Sequence, residues 1–368
     1  SGQNSIALVS GQKVTLTFAD RQLINVSVDA SLINTLISNK RLIAVNGGKV
    51  VIAANSANDL MNSVISNKGT VSADGVNVQG GVVTLTAGTV SQAGTVSANA
   101  TATSLNEHTP TSAATTLAGV GGQVNINAKQ VNIEGASKTS ATGSLGGGAV
   151  AVQATKNISI KSGAILDASA SLRGNGGQIS LSAQSIDLRG NLIARSGTQS
   201  GNGGVINVAT SGLSVSETAL VDASAQSPNG QAGQFNLSAN EIIVDQTIAN
   251  FVSKTLETTK VSLNAFKNMC MDFAGCTANG SGLIALLADA SINKANNTPT
   301  ALVMNADGQL IIEGSVVSAN TAPLDLLLQS KDSVVLAVLA SVRVQTIAIS
   351  GPVIEANGNL FAYGSSQS

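Results

Sequence analysis

One short phrase governs what this chain can become. It reads Gly121-Gly-Gln-Val-Asn-Ile-Asn-Ala128, then Gly147-Gly-Ala-Val-Ala-Val-Gln-Ala154, then Gly176-Gly-Gln-Ile-Ser-Leu-Ser-Ala183. Gly203-Gly-Val-Ile-Asn-Val208 and Ala232-Gly-Gln-Phe-Asn-Leu-Ser-Ala239 follow, so one glycine recurs at 122, 148, 177, 204 and 233, 26 to 29 residues apart. A unit this short buries its apolar face only against copies of itself, which makes such a period the mark of a solenoid.

Each unit holds a second alternating pair: Val131 and Ile133, Ile158 and Ile160, Ile186 and Leu188, Leu213 and Val215, Ile242 and Val244. Period two means strand, because successive side chains point to opposite faces. Three units carry a third short strand: Ala164-Ile-Leu-Asp-Ala-Ser-Ala170, Asn191-Leu-Ile-Ala-Arg-Ser196 and Ala219-Leu-Val-Asp-Ala-Ser-Ala225. Three strands per turn of chain predict a triangular coil, each strand pairing in parallel with its copy on the next coil. The expected fold is all-β: a right-handed parallel β-helix with short extra-helical helices and loops. At about 26 residues per coil the chain makes roughly 14 coils and a rod of about 65 Å. Leucine-rich repeats need a fixed Leu and Asn frame in shorter units, which is absent.

Composition agrees. Among 368 residues there are 38 Gly, no Trp, one Tyr and six Phe, with a hydrophobic share of 43%. Small and β-branched side chains stack on pleated surfaces, and glycine supplies the turns. Only 11% of residues are charged and the net charge is -1, so Ser, Thr, Asn and Gln form the exterior. Without clustered Lys and Arg interleaved with aromatics, the forces that hold nucleic acid are missing. No apolar run approaches the roughly 20 residues of a membrane-spanning helix. Ser1-Gly-Gln-Asn4 has no signal-peptide pattern, so any secretion signal is expected outside this chain.

Several segments depart from the repeat. Leu32, Ile33, Leu36 and Ile37, and then Leu60, Met61, Val64 and Ile65, have helical spacing and predict two short amphipathic surface helices. Residues 102 to 118 break the repeat and hold the single histidine, His108; with Glu107 alone beside it, no metal set or base arrangement forms. The largest departure contains Phe266-Lys-Asn-Met-Cys-Met-Asp-Phe-Ala-Gly-Cys-Thr277. Cys270 and Cys276, the only cysteines, are close enough in sequence for a loop-closing disulfide in an oxidising compartment. Zinc needs four ligands and a redox dithiol favours Cys-x-x-Cys; neither pattern occurs. Phe266, Met269, Met271 and Phe273 make this loop a candidate partner-binding site, since exposed apolar groups favour contact. The organisation so read is 1–120, coils with the surface helices and the 102–118 loop; 121–248, regular repeats; 249–281, an extra-helical disulfide loop; and 282–368, further coils. The last coil carries no polar cap, so the coils are expected to continue beyond Ser368.

Ser5-Ile-Ala-Leu-Val-Ser-Gly-Gln-Lys-Val-Thr-Leu-Thr-Phe-Ala-Asp20, Asn46-Gly-Gly-Lys-Val-Val-Ile-Ala-Ala54 and Val64-Ile-Ser-Asn-Lys-Gly-Thr-Val-Ser-Ala73 resemble the region at or just after the secretion domain of the filamentous haemagglutinin-like exoproteins of bacterial two-partner secretion. Thr255-Leu-Glu-Thr-Thr259 and Gly280-Ser-Gly-Leu-Ile284 resemble later coils of such proteins. The family's Asn-Pro-Asn secretion signature is not found, as no Asn-Pro pair occurs. The resemblance implies export through an outer-membrane transporter partner and a place in the secreted fraction or on the bacterial cell surface. It also implies one of three roles: an adhesin, a haem-acquisition protein gripping a host carrier, or the stalk of a contact-dependent toxin. The expected partner is a host cell-surface or serum protein or a glycan, with no cofactor and no metal. The remaining class is a β-helix polysaccharide lyase or hydrolase, which requires paired carboxylates. Asp167 and Asp222 occupy equivalent repeat positions, with Arg195 in the coil between, but an Asp after an apolar strand is more simply a turn residue. No enzyme is expected, and no residue is assigned a catalytic role.

Overall fold

A computed structural model describes residues 4–19, 22–29, 34–56, 63–102, 119–271, 275–277 and 280–364. The chain winds as a parallel β-helix. Its principal sheet has fifteen strands, twelve of which form one path from Ser5–Ser10 through Lys49–Ala54, Val82–Thr86, Gln123–Ile133 and onward to Thr346–Ser350. Each neighbouring pair on that path is parallel and in register. The expected three faces are present. The first and second are joined in long strands such as Gln123–Ile133 and Ala149–Ile160, where register shifts after Ala128 and after Gln153 turn the corner. The third is a seven-stranded sheet that includes Ile165–Asp167, Asn191–Ile193 and Leu220–Asp222, the three strands read from sequence.

Among the described residues twelve rungs stand against the fourteen expected, because some turns of chain are long. Ser5 pairs with Lys49, Val82 with Gln123 and Val261 with Leu302, each step spanning over forty residues. At about 4.8 Å per rung the twelve-strand stack is about 53 Å high.

Columns of inward side chains fill the interior. Val50, Val83, Val124, Val150, Ile179, Ile206, Phe235, Val261, Leu302 and Leu326 occupy one register position, and all are buried. Burial of such a side chain contributes about 1.5–3 kcal/mol. Because every rung repeats the same inward position, each contributes its share only when both neighbouring rungs are present.

The corner between the third face and the next first face decides the glycines. In six successive coils the glycine just before the first-face strand donates its N–H to the carbonyl of a buried alanine at the end of the third face, as Gly148 does to Ala141 at 2.7 Å and Gly177 to Ala168 at 2.7 Å. The backbones lie so close that a Cβ on Gly177 would stand 1.9 Å from the Gly148 carbonyl oxygen, and one on Gly204 would stand 2.1 Å from that of Gly177. No side chain fits.

The two predicted surface helices are not helices. Thr35–Asn39 and Ser63–Asn67 are strands, paired in parallel with each other and continued by Thr89–Gln92 on the second face. Leu36 is 64% exposed while Ile65 is buried, so the apolar residues alternate across a sheet. Residues 31–33 and 57–62 lie outside the described residues. What fixes these strands is polar: buried Asn39 donates Nδ2–H to Asn67 Oδ1 at 2.8 Å, and Asn67 donates to Gln92 Oε1 at 2.7 Å and to the Thr95 carbonyl at 3.1 Å. An amide carries donor and acceptor on one side chain, so a stack of them satisfies itself from rung to rung.

The segment expected to be an extra-helical loop at 249–281 is largely part of the rod. Lys260–Ala265 is a rung of the principal sheet, and Gln246–Leu256 is an α-helix standing where the third-face strand of that coil would be. Asp245 caps it by accepting the Ile248 N–H at 2.9 Å. Ala249, Phe251, Val252 and Leu256 face the core, and Phe251 meets Phe235 edge to face at 5.7 Å.

The helix also satisfies the strand edges it interrupts. On one side Lys254 Nζ donates to the carbonyls of Ala219 and Glu217, and Thr259 Oγ1 accepts the Ala223 N–H at 2.8 Å. On the other, Ser253 Oγ accepts the Asn293 N–H, and the Glu257 carboxylate accepts those of Ala295 and Asn296, both at 2.7 Å. Beyond it the third face restarts as a four-stranded sheet beginning at Ser291–Lys294.

The corner geometry predicts that Gly177→Ala destabilises the rod by about 2–3 kcal/mol, the upper part of the range for overpacking a close-packed site. Gly212→Ala, whose added Cβ would meet nothing nearer than 3.8 Å, should change little. Thermal unfolding of the two variants checks this; equal midpoints would contradict the close-approach account.

Candidate binding cleft and the excursions

The first excursion is an antiparallel hairpin of Lys13–Ala19 and Gln22–Asp29. It leaves the first rung after Ser10, and its base is closed where Gln12 N–H donates to the Asp29 carbonyl at 3.0 Å. Asn55 ties it to the next coil, donating N–H to the Ser10 carbonyl and Nδ2–H to the Val28 carbonyl at 2.8 Å. Between Val26 and Val28 of the hairpin and the outer surface of the first face lies a cleft of about 630 Å³. That is within the roughly 300–1,000 Å³ of small-ligand sites.

Four coils build its floor and far wall. Lys49, Val51 and Ala53 come from one strand, Thr84 and Thr86 from the next, Asn127, Lys129 and Gln130 from the third, and Thr155 and Lys156 from the fourth. The alternation that sends Val50, Val83 and Val124 inward sends these residues out. Lys129 and Lys156 stand at the register shifts where the first face bends into the second, and both are exposed. No carboxylate is among the described lining residues. The link from Ser56 to Ser63, both on the wall, lies outside the described residues. No sequence motif marked this cleft; the lysine immediately before the second-face strand in two successive units, Lys129-Gln130 and Lys156-Asn157, was its one legible trace.

In the cysteine loop, Met269–Met271 and Gly275–Thr277 form a short antiparallel hairpin in which Cys270 stands directly opposite Cys276. Directly opposed residues bring their Cα atoms within the span a disulfide bridges. Of the proposed contact residues, Met269 is 6% exposed and so is packed inward, contrary to an exposed role, and Phe266 is half-buried. Phe266 N–H donates to the Ala239 carbonyl at 2.9 Å, extending the rung ladder by one residue. Phe273 and the side chain of Met271 lie outside the described residues, as do Glu107 and His108.

Asp167 and Asp222 do not meet. Ile193 of the intervening rung separates them in register. Each carboxylate accepts the N–H two residues on, from Ser169 at 3.0 Å and from Ser224 at 2.9 Å, and Arg195 pairs with Asp222 Oδ2 at 2.6 Å. These are turn-forming aspartates.

One buried charge went unforeseen. Lys294, 2% exposed, donates Nζ–H to the Asn296 carbonyl at 3.0 Å and to Asn296 Oδ1 at 2.8 Å. Burial pushes its pKa below the ordinary 10.5, opposed by the nearby Glu257 carboxylate.

Among the described residues no helix is long and apolar enough to cross a membrane. Comparison with protein-family models, with curated proteins and with solved structures finds no match.

Two outcomes are expected. Intact-mass measurement of the unreduced chain after thiol alkylation should show neither Cys270 nor Cys276 modified, and full modification of both would refute the pairing. For Lys294 the sign follows from linkage: a lowered folded pKa means the unfolded chain binds more protons, so stability rises with pH from the lowered value to 10.5. Lys294→Met, which lacks this titration, should be as stable as or more stable than the parent at pH 7, with its advantage shrinking by pH 10 in urea unfolding; an advantage independent of pH would refute the assignment.

Proposed function

We propose that this chain is the rod of a secreted or surface-displayed bacterial binding protein, in which coils are scaffold and excursions make contact, as its resemblance to two-partner secretion exoproteins implies. The observation that carries this reading is the unbroken inward column from Val50 to Leu326. A core that repeats identically from rung to rung holds surfaces at fixed heights along a rod and contains no chemistry of its own. The excursions support the same reading: the 13–29 hairpin stands outside the coil and encloses the cleft, and the cysteine hairpin is inserted between a first-face and a second-face strand of one coil. An adhesive role needs reach and rigid presentation, which a stack about 53 Å high supplies.

Beads coated with the chain and applied to eukaryotic cell monolayers test it. Adhesion that saturates and is competed by soluble chain is expected. Adhesion no greater than that of albumin-coated beads would overturn the proposal.

A further inference from the structure

We infer that Asn357 is a site of covalent self-modification, at which its side-chain amide is lost as ammonia and the main chain is rejoined to Gly358 through an isoaspartyl link. The chain has six Asn-Gly pairs, beginning at 46, 175, 202, 229, 279 and 357, and two Asp-Gly pairs, beginning at 74 and 307. Glycine carries no Cβ, so in these pairs nothing hinders the approach of the preceding side-chain carbonyl carbon to the glycine nitrogen. What separates the pairs is the glycine N–H. Seven of the eight donate it to a carbonyl, as Gly47 does to Asp74 at 2.8 Å, Gly176 to Asn202 at 2.9 Å and Gly280 to Lys267 at 2.8 Å. Among the described residues, Gly358 is the one of the eight whose N–H has no acceptor. The asparagines differ in the same way. Asn46, Asn175 and Asn202 each accept a backbone N–H through Oδ1, whereas Asn357 is exposed and its amide is not held by any described residue.

The turn explains why. Asn357 and Gly358 join Val353–Ala356 to Asn359–Ala362. N–H groups here reach the preceding coil: that of Asn357 takes the Leu336 carbonyl at 2.9 Å and that of Asn359 the Ala340 carbonyl at 2.9 Å, which leaves Gly358 between them with none. In the matching turn two coils earlier, Glu313 and Gly314 both donate to the Leu286 carbonyl. Reaction at Gly358 therefore breaks no backbone hydrogen bond. Hydroxide takes the Gly358 N–H proton and the nitrogen attacks Asn357 Cγ. The Cγ–Nδ2 bond breaks, and ammonia leaves after taking a proton back from water, which restores the hydroxide. Water then opens the cyclic imide, and opening at the main-chain carbonyl leaves a free carboxylate and a backbone that runs through Cγ.

That link adds a carbon to a turn with no slack, since even a Cβ on Gly358 would stand 2.6 Å from the carbonyl oxygens of both Ala337 and Ala340. The following strand then loses its register with Ser341–Val344. With it go the Arg343 guanidinium over the Phe361 ring at 5.7 Å and the bonds that the Tyr363 hydroxyl makes to Ser318 Oγ and to the Ala319 and Ala322 carbonyls.

Incubation of the full chain in mildly alkaline buffer, followed by tryptic mapping, tests the site. Arg343 is the last basic residue, so one peptide, Val344–Ser368, carries Asn357 with no other Asn-Gly pair. Its amide-to-acid mass gain is expected at least about tenfold faster than that of the other five pairs, the scale of one backbone hydrogen bond that need not be broken. An isoaspartyl methyltransferase should label it. In urea all six pairs should react at comparable rates, and Asn357→Gln, which would have to close a larger ring, should leave the peptide unmodified. Tyr363 is the single tyrosine and the chain has no tryptophan, so acrylamide quenching of its fluorescence reads this coil. Quenching should rise with the extent of modification and stay constant in Asn357→Gln. Equal rates at all six pairs in the folded chain, or a mass gain that persists in Asn357→Gln, would overturn the site; quenching unchanged by modification would overturn the loss of register. None of these readouts depends on what the rod binds.

Discussion

The rod depends on how closely two stretches of backbone approach at one corner. Where the third face ends and the next first face begins, a glycine N–H reaches an alanine carbonyl at 2.7 or 2.8 Å in six successive coils, and the same glycine sits against the glycine of the rung below. That bond closes the base of each corner loop, so the loops at 142–147 and 195–203 differ in both length and sequence and still return the chain to the same place. It also aligns the strand that follows, because the residue after each glycine begins the register with the next rung. In those six coils the closure sets the register in which parallel pairing stacks the inward column; beyond Gly233 the column continues on strand pairing and burial alone.

This explains which parts of the fold were legible in the sequence. A position that admits no Cβ writes itself as glycine in six successive units, and a half-buried strand writes itself as period two, so the repeat, the three faces and the strands at 165–167, 191–193 and 220–222 could be read directly. Thr35–Asn39 and Ser63–Asn67 could not. In each, two apolar residues stand side by side, and the inward position that fixes the register is an asparagine, which reads as a surface residue until its amide partners on the next rungs are known. The helix was hidden for a different reason. Asp245, Ile248, Phe251, Val252 and Leu256 have the cap and spacing of a helix, but nothing local says that it takes the place of a third-face strand. The cleft was the least legible, since Val28, Lys49, Thr86, Lys129 and Lys156 converge only once the coils are stacked.

The helix shows what a break in a repeat requires. Ending one parallel sheet and starting another leaves two rows of unpaired backbone groups, and each must find a partner. Here side chains supply them: Lys254 and Thr259 toward the strand that ends, and Gln246, Ser253 and Glu257 toward the one that begins. Glu257 has a second effect. By holding the backbone of Ala295 and Asn296 it fixes the carbonyl and amide oxygen that receive Lys294, so the buried ammonium is a consequence of the junction. A buried charge is weak evidence for stability, and its partners are arranged so that removing the lysine alone leaves acceptors still engaged elsewhere, as Asn296 Oδ1 is with the Thr298 N–H.

Excursions are tolerated because they begin and end at the same height on the rod. The hairpin leaves at Ser10 and the chain returns to pair Lys49 with Ser5; the cysteine hairpin lies between Ala265 and Ile284, and Gly282 N–H donates to the Asn240 carbonyl of the preceding coil. With the rungs on either side already in register, lengthening an insert costs only loop closure, about 0.6 kcal/mol for each doubling. Such segments are therefore free to change while the coil is held by its column and its corner. The lysine pair belongs to neither group. Lys129 and Lys156 stand on the coil itself, at a bend where the backbone needs no particular side chain, and their closeness is set by the spacing of the rungs. A rigid scaffold thus fixes the distance between two such positions more tightly than any loop could.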